Sequence, residues 1–215
     1  MPRYKKVIFD LDGTLIDSAP GIHESVKHTL ESMNRPCLCD EDLRIFVGAP
    51  LYDAFLNIVK MDENEATEAV IIFRNHYSEK SVYIFKIYDG ILELIESLFQ
   101  KGIKLCIASN KPTVLIKKIL KYLQIDCFFE TVCGSEPSSK ETKIEILKKA
   151  IAEEKECILI GDRVFDIEAA QHNGIDSIGV LYGYGSQEEF SEADYVCKDV
   201  NEIKEILLKQ KLATA

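Results

Sequence analysis

The 215-residue sequence predicts an α/β protein, a doubly wound parallel sheet with an α-helical domain inserted after its first strand. Three observations lead there. An apolar run, Val7-Ile8-Phe9, ends abruptly in Asp10-Leu11-Asp12-Gly13-Thr14, which is how a buried strand runs into a polar loop. Helical patterns then follow one another without a convincing strand between them. From Tyr88-Asp89-Gly90 onward, short apolar runs alternate with helical periodicities, the pattern of parallel strands joined by right-handed helical crossovers.

Taken in order, Asp17 or Ser18 caps the first helix, with Pro20 in its first turn and Ile22, Val26, Thr29, Leu30 and Met33 along one face. That helix ends before Arg35-Pro36. A short helix over residues 41–47 reaches the breaker Gly48-Ala49-Pro50, after which Leu51, Phe55, Ile58 and Val59 repeat at helical spacing. Residues 63–83 continue the pattern, with Ala66, Val70, Phe73 and Tyr77 on one face. The inserted helical domain therefore spans residues 17–84, and the sheet domain combines 1–16 with 85–215. Within the latter, residues 91–100, 113–123, 142–152, 167–172 and 200–209 read as helices. Residues 103–108, 128–133, 157–160, 177–181 and 194–197 read as strands.

Twenty-six basic against 36 acidic residues leave a net charge of −10, which argues against nucleic acid or an anionic membrane as a partner. An anionic substrate then needs local lysines or a metal. Seven cysteines, an odd number without any C-x-x-C, make no disulfide framework. Cys106 and Cys157 sit in apolar strand-like runs, and Cys37-x-Cys39 lacks the second ligand pair of a zinc site. The basic start, Arg3, Lys5 and Lys6, precedes an apolar run far too short for a signal peptide, and no stretch is long enough to span a membrane. A reducing, cytoplasmic setting is the expectation.

In a doubly wound sheet, ligands sit beyond the carboxyl ends of the strands. Asp10 and Asp12 follow the first strand, Ser109-Asn110-Lys111 the second, and Gly161-Asp162-Arg163-Val164-Phe165-Asp166 a later one. Carboxylates, a serine and lysines on one rim suit Mg²⁺ and phosphate, because hard oxygen donors hold Mg²⁺ and lysine neutralises a phosphoryl group. Each loop alone has an ordinary alternative: Asp162 and Asp166 as helix caps, Ser109 as an N-cap ahead of Pro112, Lys111 as a solvated lysine. Their joint placement carries the reading. In the helical insertion, Arg44 and the loop beginning at Gly48 are candidates to reach an anionic or polar leaving group, against the plainer roles of exposed helix residue and breaker. His23, His28, His76 and His172 show no ligand-like spacing.

The order Phe9-Asp10-Leu11-Asp12-Gly13-Thr14-Leu15, then Ala108-Ser109-Asn110-Lys111-Pro112, then a lysine before a helix, then Ile160-Gly161-Asp162-Arg163-Val164-Phe165-Asp166 resembles the haloacid dehalogenase-like hydrolase superfamily. More narrowly it is similar to the phosphoglycolate phosphatase-like branch with an inserted helical cap. The resemblance spans essentially the whole chain, including Phe46-Val47-Gly48-Ala49-Pro50-Leu51 and Gly179-Val180-Leu181-Tyr182-Gly183-Tyr184-Gly185. It implies a Rossmann-like core and a Mg²⁺-dependent phosphomonoesterase acting on a small phosphometabolite, phosphoglycolate or a nucleoside 5′-monophosphate, through an aspartyl-phosphate.

Carried over by motif, Asp10 is the nucleophile and Asp12 the general acid and base. Mg²⁺ is held by the Asp10 carboxylate, the Asp12 backbone carbonyl and Asp162, with Asp166 in support. Ser109 and backbone N–H groups near Leu11 and Asn110 donate to phosphoryl oxygens, and Asn110 and Lys111 contact the substrate. The motif lysine lies in Ser139-Lys140-Glu141-Thr142-Lys143, which lacks the prolines that follow it in many relatives; helical phase favours Lys143, with Lys140 the alternative. A sugar phosphomutase on the same core is a second reading. A non-catalytic phosphometabolite-binding protein is a third, and it would be expected to lose Asp10, Asp12 or Asp162, all of which are present. The sequence leaves the oligomeric state open.

Overall fold

The computed structural model describes residues 3–136 and 141–208. The chain runs through β1 (Lys6–Phe9) and β2 (Ile16–Asp17) into four helices, α1 (Ala19–Ser32), α2 (Asp40–Ile45), α3 (Leu51–Asn57) and α4 (Glu63–His76). It returns through β3 (Lys86–Ile87) to α5 (Ile91–Gln100), β4 (Lys104–Pro112), α6 (Thr113–Tyr122), β5 (Phe129–Ser135) and α7 (Lys143–Ile151). Then come β6 (Cys157–Gly161), α8 (Val164–Asn173), β7 (Asp176–Val180), β8 (Tyr195–Cys197) and α9 (Val200–Leu208). Two compact units result, Met1–Ile16 with Ile87–Ala215, and Asp17–Lys86. The division falls between Ile16 and Asp17 and between Lys86 and Ile87.

In the first unit, six parallel strands form one sheet in the order β5-β4-β1-β6-β7-β8. β1 lies inside it, with Phe9 in register with Ile107 of β4 and Ile160 of β6. All four residues of β1 are buried, and since successive side chains point to opposite faces, both faces are covered. On the Ile8 face, Cys106, Ala108 and Leu159 pack with Ile146, Leu147 and Ala150 of α7 and with Ala169 and Ala170 of α8. The chain visits β4 and β5 on one side of β1 and β6 to β8 on the other. The strand order thus reverses beside β1, and a crevice opens beyond Phe9, where such sheets bind their ligands.

One expectation changes here. Ser109, Asn110 and Lys111 are not a loop after the second strand but part of β4, which continues to Pro112. The residue before a proline is driven to extended backbone, the pairing with β5 resumes after a register shift between Ser109 and Pro112, and Ser135 Oγ donates to the Asn110 carbonyl at 2.8 Å.

The helical unit has its own aromatic core. Phe55 meets Phe46 edge-on at 5.0 Å between ring centroids and Phe73 at 6.4 Å, and Phe73 stacks on Tyr77 at 5.6 Å. Asp62 caps α4 by accepting from the Asn64 and Glu65 N–H groups, while Glu65 accepts from the Asp62 N–H. The single helix expected over residues 63–83 ends at His76 and gives way to a π-helical turn, Tyr77–Ser81, where Ser81 Oγ donates to Glu24 Oε2 at 2.6 Å. At the start of α1 the Ala19 N–H donates to Asp17 Oδ1.

Candidate active site

The loop after β1 is shaped by its own backbone. The Asp10 N–H still donates to Ile160 O, extending the pairing with β6 by one residue, and the Leu11 carbonyl then gathers the Leu15 and Ile16 N–H groups while Gly13 donates back to Ile16 O. Gly13 takes φ +84, and a Cβ there would stand 2.0 Å from Asp162 Oδ2, so only glycine lets this loop approach the β6 loop. Asp10 and Asp12 are both buried.

Each of these two carboxylates has its own lysine. Lys143, the first residue of α7, puts Nζ 2.6 Å from Asp10 Oδ1 and 2.7 Å from Asp166 Oδ1. Thr142 and Glu145 form the capping box that starts α7 at this point, which fixes where Lys143 emerges. The alternative, Lys140, lies outside the described residues. Lys111 donates to both oxygens of Asp12 at 2.8 Å. The sequence reading assigned Lys111 to the substrate and did not foresee this pairing.

Asp162, beyond β6, is fully buried. Its Oδ2 accepts from the Tyr184 N–H at 2.9 Å, its backbone carbonyl from the Gly185 N–H at 3.0 Å, and Thr14 Oγ1 lies 3.4 Å from Oδ1. Asp166 does two things at once: Oδ2 accepts from the Arg163 N–H, capping α8, and Oδ1 meets Lys143. Carboxylate oxygens of Asp10, Asp162 and Asp166 all lie within 4.8 Å of one another. Three converging hard oxygens without a soft donor suit Mg²⁺.

Ser109 is buried beside this loop, with the Lys111 N–H 3.4 Å from its Oγ, and Asn110 is half-buried. Arg44 and Gly48 belong to the helical unit, Arg44 exposed on α2 and Gly48 at φ +78. Sequence reasoning missed the residues that hold Asp162. Gly183 has no room for a side chain, since its Cβ would stand 2.3 Å from the Asp162 Cβ, and the Tyr182 hydroxyl donates to the Thr14 carbonyl at 3.0 Å. The run Tyr182-Gly183-Tyr184-Gly185 was the available signal, glycines marking close backbone approach.

The family model described as haloacid dehalogenase-like hydrolase matches residues 7–180. The chain belongs to this family. A 5′-nucleotidase of Pseudomonas aeruginosa is 35% identical over 214 residues, covering 95% of this chain and 96% of that protein. A phosphoglycolate phosphatase of Colwellia psychrerythraea is 32% identical over 199 residues, covering 86% and 88%. The crystal structure of a predicted phosphatase from Clostridium acetobutylicum superposes with a TM-score of 0.91 at 37% identity, covering 96% of this chain and 99% of that one. This haloacid dehalogenase-like hydrolase is a phosphatase of the phosphoglycolate phosphatase-like branch. Among its described residues, no helix is long and apolar enough to cross a membrane.

The electrostatics of the hydrolase site follow from burial. Burial pushes the Asp10 carboxyl up to about 6, the Lys143 ammonium pulls it back, and Asp166 and Asp12 push it up again. Asp162 is held well above the ordinary carboxylate range by burial first and then by the charges of Asp166 and Asp10. Burial alone would depress Lys143, but Asp10 and Asp166 outweigh it and keep the ammonium protonated beyond the usual lysine value. The Asp10, Asp162 and Asp166 cluster thus concentrates acidic groups that Lys143 alone only partly offsets, a demand that a divalent cation at Asp10 and Asp162 would meet.

Proposed function

We propose that the protein is a Mg²⁺-dependent phosphomonoesterase that hydrolyses a small phosphometabolite, phosphoglycolate or a nucleoside 5′-monophosphate, through an aspartyl-phosphate on Asp10. The observation that carries this reading is the Asp10–Lys143–Asp166 contact set beside Asp162, an ionised nucleophile held in a buried, positively braced position. Mg²⁺, bound by Asp10, Asp162 and the Asp12 carbonyl with Asp166 in support, would supply charge neutralisation for the phosphoryl group.

The chain's own residues do the rest. An Asp10 oxygen attacks phosphorus as the ester P–O bond breaks, and Asp12 gives its proton to the departing oxygen. Asp12 then takes a proton from water as that water attacks phosphorus, breaking the Asp10–P bond and releasing phosphate. Lys143 steadies the charge on Asp10 and on the transferring group, and Ser109 donates to a phosphoryl oxygen. Lys111 pairs with the Asp12 carboxylate at rest; an incoming phosphate dianion competes for that ammonium, and Asp12, released from it, takes up from solvent the proton that it then gives to the departing oxygen. Asn110, Arg44 and Gly48 are the remaining candidates for substrate contact.

The compartment we propose is the cytoplasm, consistent with seven free cysteines. The partner is a small phosphorylated metabolite. The names of the relatives, a 5′-nucleotidase and phosphoglycolate phosphatases, motivate the two substrate classes. The test is a phosphate-release screen over a panel of phosphorylated metabolites with Mg²⁺ and with EDTA. Release from phosphoglycolate or a nucleoside 5′-monophosphate, abolished by EDTA, is expected. Isomerisation of a sugar 1-phosphate without free phosphate would identify a mutase and overturn the reading, as would silence across the panel.

A further inference from the structure

β1 has Asp10 just beyond one end and Lys6 at the other. Lys6 looks from sequence like part of a basic surface start, and its neighbours behave so: Arg3 pairs with Asp176 and Lys5 with Glu156, both partly in solvent. Lys6 instead is 5% exposed. Its Nζ donates to the carbonyls of Ala150 at 3.0 Å and Ile151 at 2.9 Å, the last two residues of α7. It makes no ion pair with a carboxylate among the described residues.

A buried ammonium needs acceptors, and a helix C-terminus offers both unsatisfied carbonyls and the negative end of the helix dipole. That end of α7 is not closed by the usual glycine: Ala152, at φ +53 and ψ −117, turns the chain away and leaves the carbonyls facing Lys6.

The first residue of the same helix is Lys143. Side chains two apart on a strand share a face, so Lys6, Ile8 and Asp10 all look toward α7, and Ile8 packs there with Ile146, Leu147 and Ala150. From Lys6 to Asp10 a strand advances about 13 Å, and from Lys143 to Ile151 a helix advances about 12 Å. The two elements match in length and are tied at both ends in opposite senses. At one end the helix's lysine holds the strand's aspartate; at the other the strand's lysine holds the helix's carbonyls.

We propose that Lys6 is a positioning residue that fixes the axial register of α7 on β1 and thereby keeps the Lys143 ammonium at bonding distance from Asp10. The inference rests on the reading of Asp10 and Lys143 as reacting groups. A slip of α7 by one residue's rise, about 1.5 Å, taken along the 2.6 Å contact would carry Lys143 Nζ out of hydrogen-bond range of Asp10.

The test is a double-mutant cycle on the full-length protein. Lys6→Met keeps length and removes the donors, Lys6→Arg keeps charge and donors, and each is made with Lys143 intact and with Lys143→Ala. Active sites are counted by the phosphoryl-enzyme formed in a single-turnover burst on the wild-type Lys143 background and by folded protein on the other. Lys6→Met is expected to lower kcat per active site by about 10- to 100-fold with KM within about twofold, because small misplacement of a reacting group costs that much. Lys6→Arg should recover most of it. With Lys143 already replaced, Lys6→Met should change kcat by less than about twofold, since the two act through one contact. A merely structural lysine would lower the melting temperature and leave kcat per active site unchanged, and that result overturns the proposal. If Lys6→Met does not fold, Lys6→Gln, which retains a shorter donor, takes its place in the cycle and is judged by the same criteria. Should Lys143→Ala itself remain fully active, the active-site reading fails and takes this one with it; an inactive Lys143→Ala beside wild-type Lys6 variants sinks only the register proposal.

Discussion

Removing the Lys143 side chain would leave Asp10, Asp162 and Asp166 with oxygens within 4.8 Å of one another and no ammonium between them. Two unit charges at such a distance repel by about 3.5 kcal/mol at an effective dielectric constant of about 20. Three buried carboxylates resist ionising together against that, so with the ammonium gone the cluster holds a proton to higher pH and Asp10 loses nucleophilic charge on the acid side of the profile. The direct effect on the transition state adds to this: deleting one preorganised electrostatic contact commonly raises the barrier by about 2.7–4 kcal/mol, or about 10² to 10³ in rate. Lys143→Ala should therefore lower kcat/KM by about that factor near pH 7 and move the acidic limb of the pH profile upward, so that raising the pH recovers part of the loss. Initial rates of phosphate release at saturating Mg²⁺ across pH are the assay, with circular dichroism to confirm the fold. A variant within about threefold of wild type near pH 7 would refute the role given to Lys143. Lys140→Ala, if Lys143 is the motif lysine, should stay within about threefold; reversed effects would make Lys140 the motif lysine.

Asp10→Asn keeps the shape of the side chain and removes the attacking charge, so turnover should fall by several orders of magnitude, and a variant keeping a tenth of wild-type rate would exclude the covalent route. Asp10 sits at about 6 against an ordinary 3.8, so the native state binds that proton more tightly than the unfolded chain does. In metal-free protein its stabilising contribution is full below about pH 4 and lost as the pH rises through about 6. Mg²⁺ needs the carboxylates ionised, so the rise in melting temperature that it produces over EDTA should grow across the same interval; calorimetric shifts that do not change with pH there would contradict the assignment. Gly183→Ala places a Cβ 2.3 Å from the Asp162 Cβ and 2.5 Å from the Gly13 carbonyl. It should raise the Mg²⁺ concentration needed for half-maximal activity by at least about tenfold, comparable to losing an outer partner of a metal ligand, and an unchanged Mg²⁺ titration would show that Asp162 does not need this support.

The sequence by itself determined where the strands and helices lie and which loop ends hold the acidic groups. Parallel strands covered on both faces show as near-continuous apolar runs and helices as apolar positions of period 3.6, and both patterns are written in the order of residues. Val7-Ile8-Phe9 reads as a buried strand that runs into Asp10, and helical phase over Ile144, Leu147 and Ile151 favours Lys143 over Lys140 as the motif lysine. Where the pattern was ambiguous, it failed for local reasons: the extended residue before Pro112 kept Ser109 to Lys111 in β4, and the helix over residues 63–83 changed to a π-helical turn after His76. Which charges face one another was decided only by the tertiary structure, because ion pairs between residues some 99 or 133 positions apart depend on how elements pack. Nothing in the local sequence of Lys111 distinguishes a substrate contact from a partner of Asp12. Nor does anything around Lys6 announce burial, since a lysine among basic neighbours reads as surface until α7 is laid across β1 and its last carbonyls are found at the ammonium.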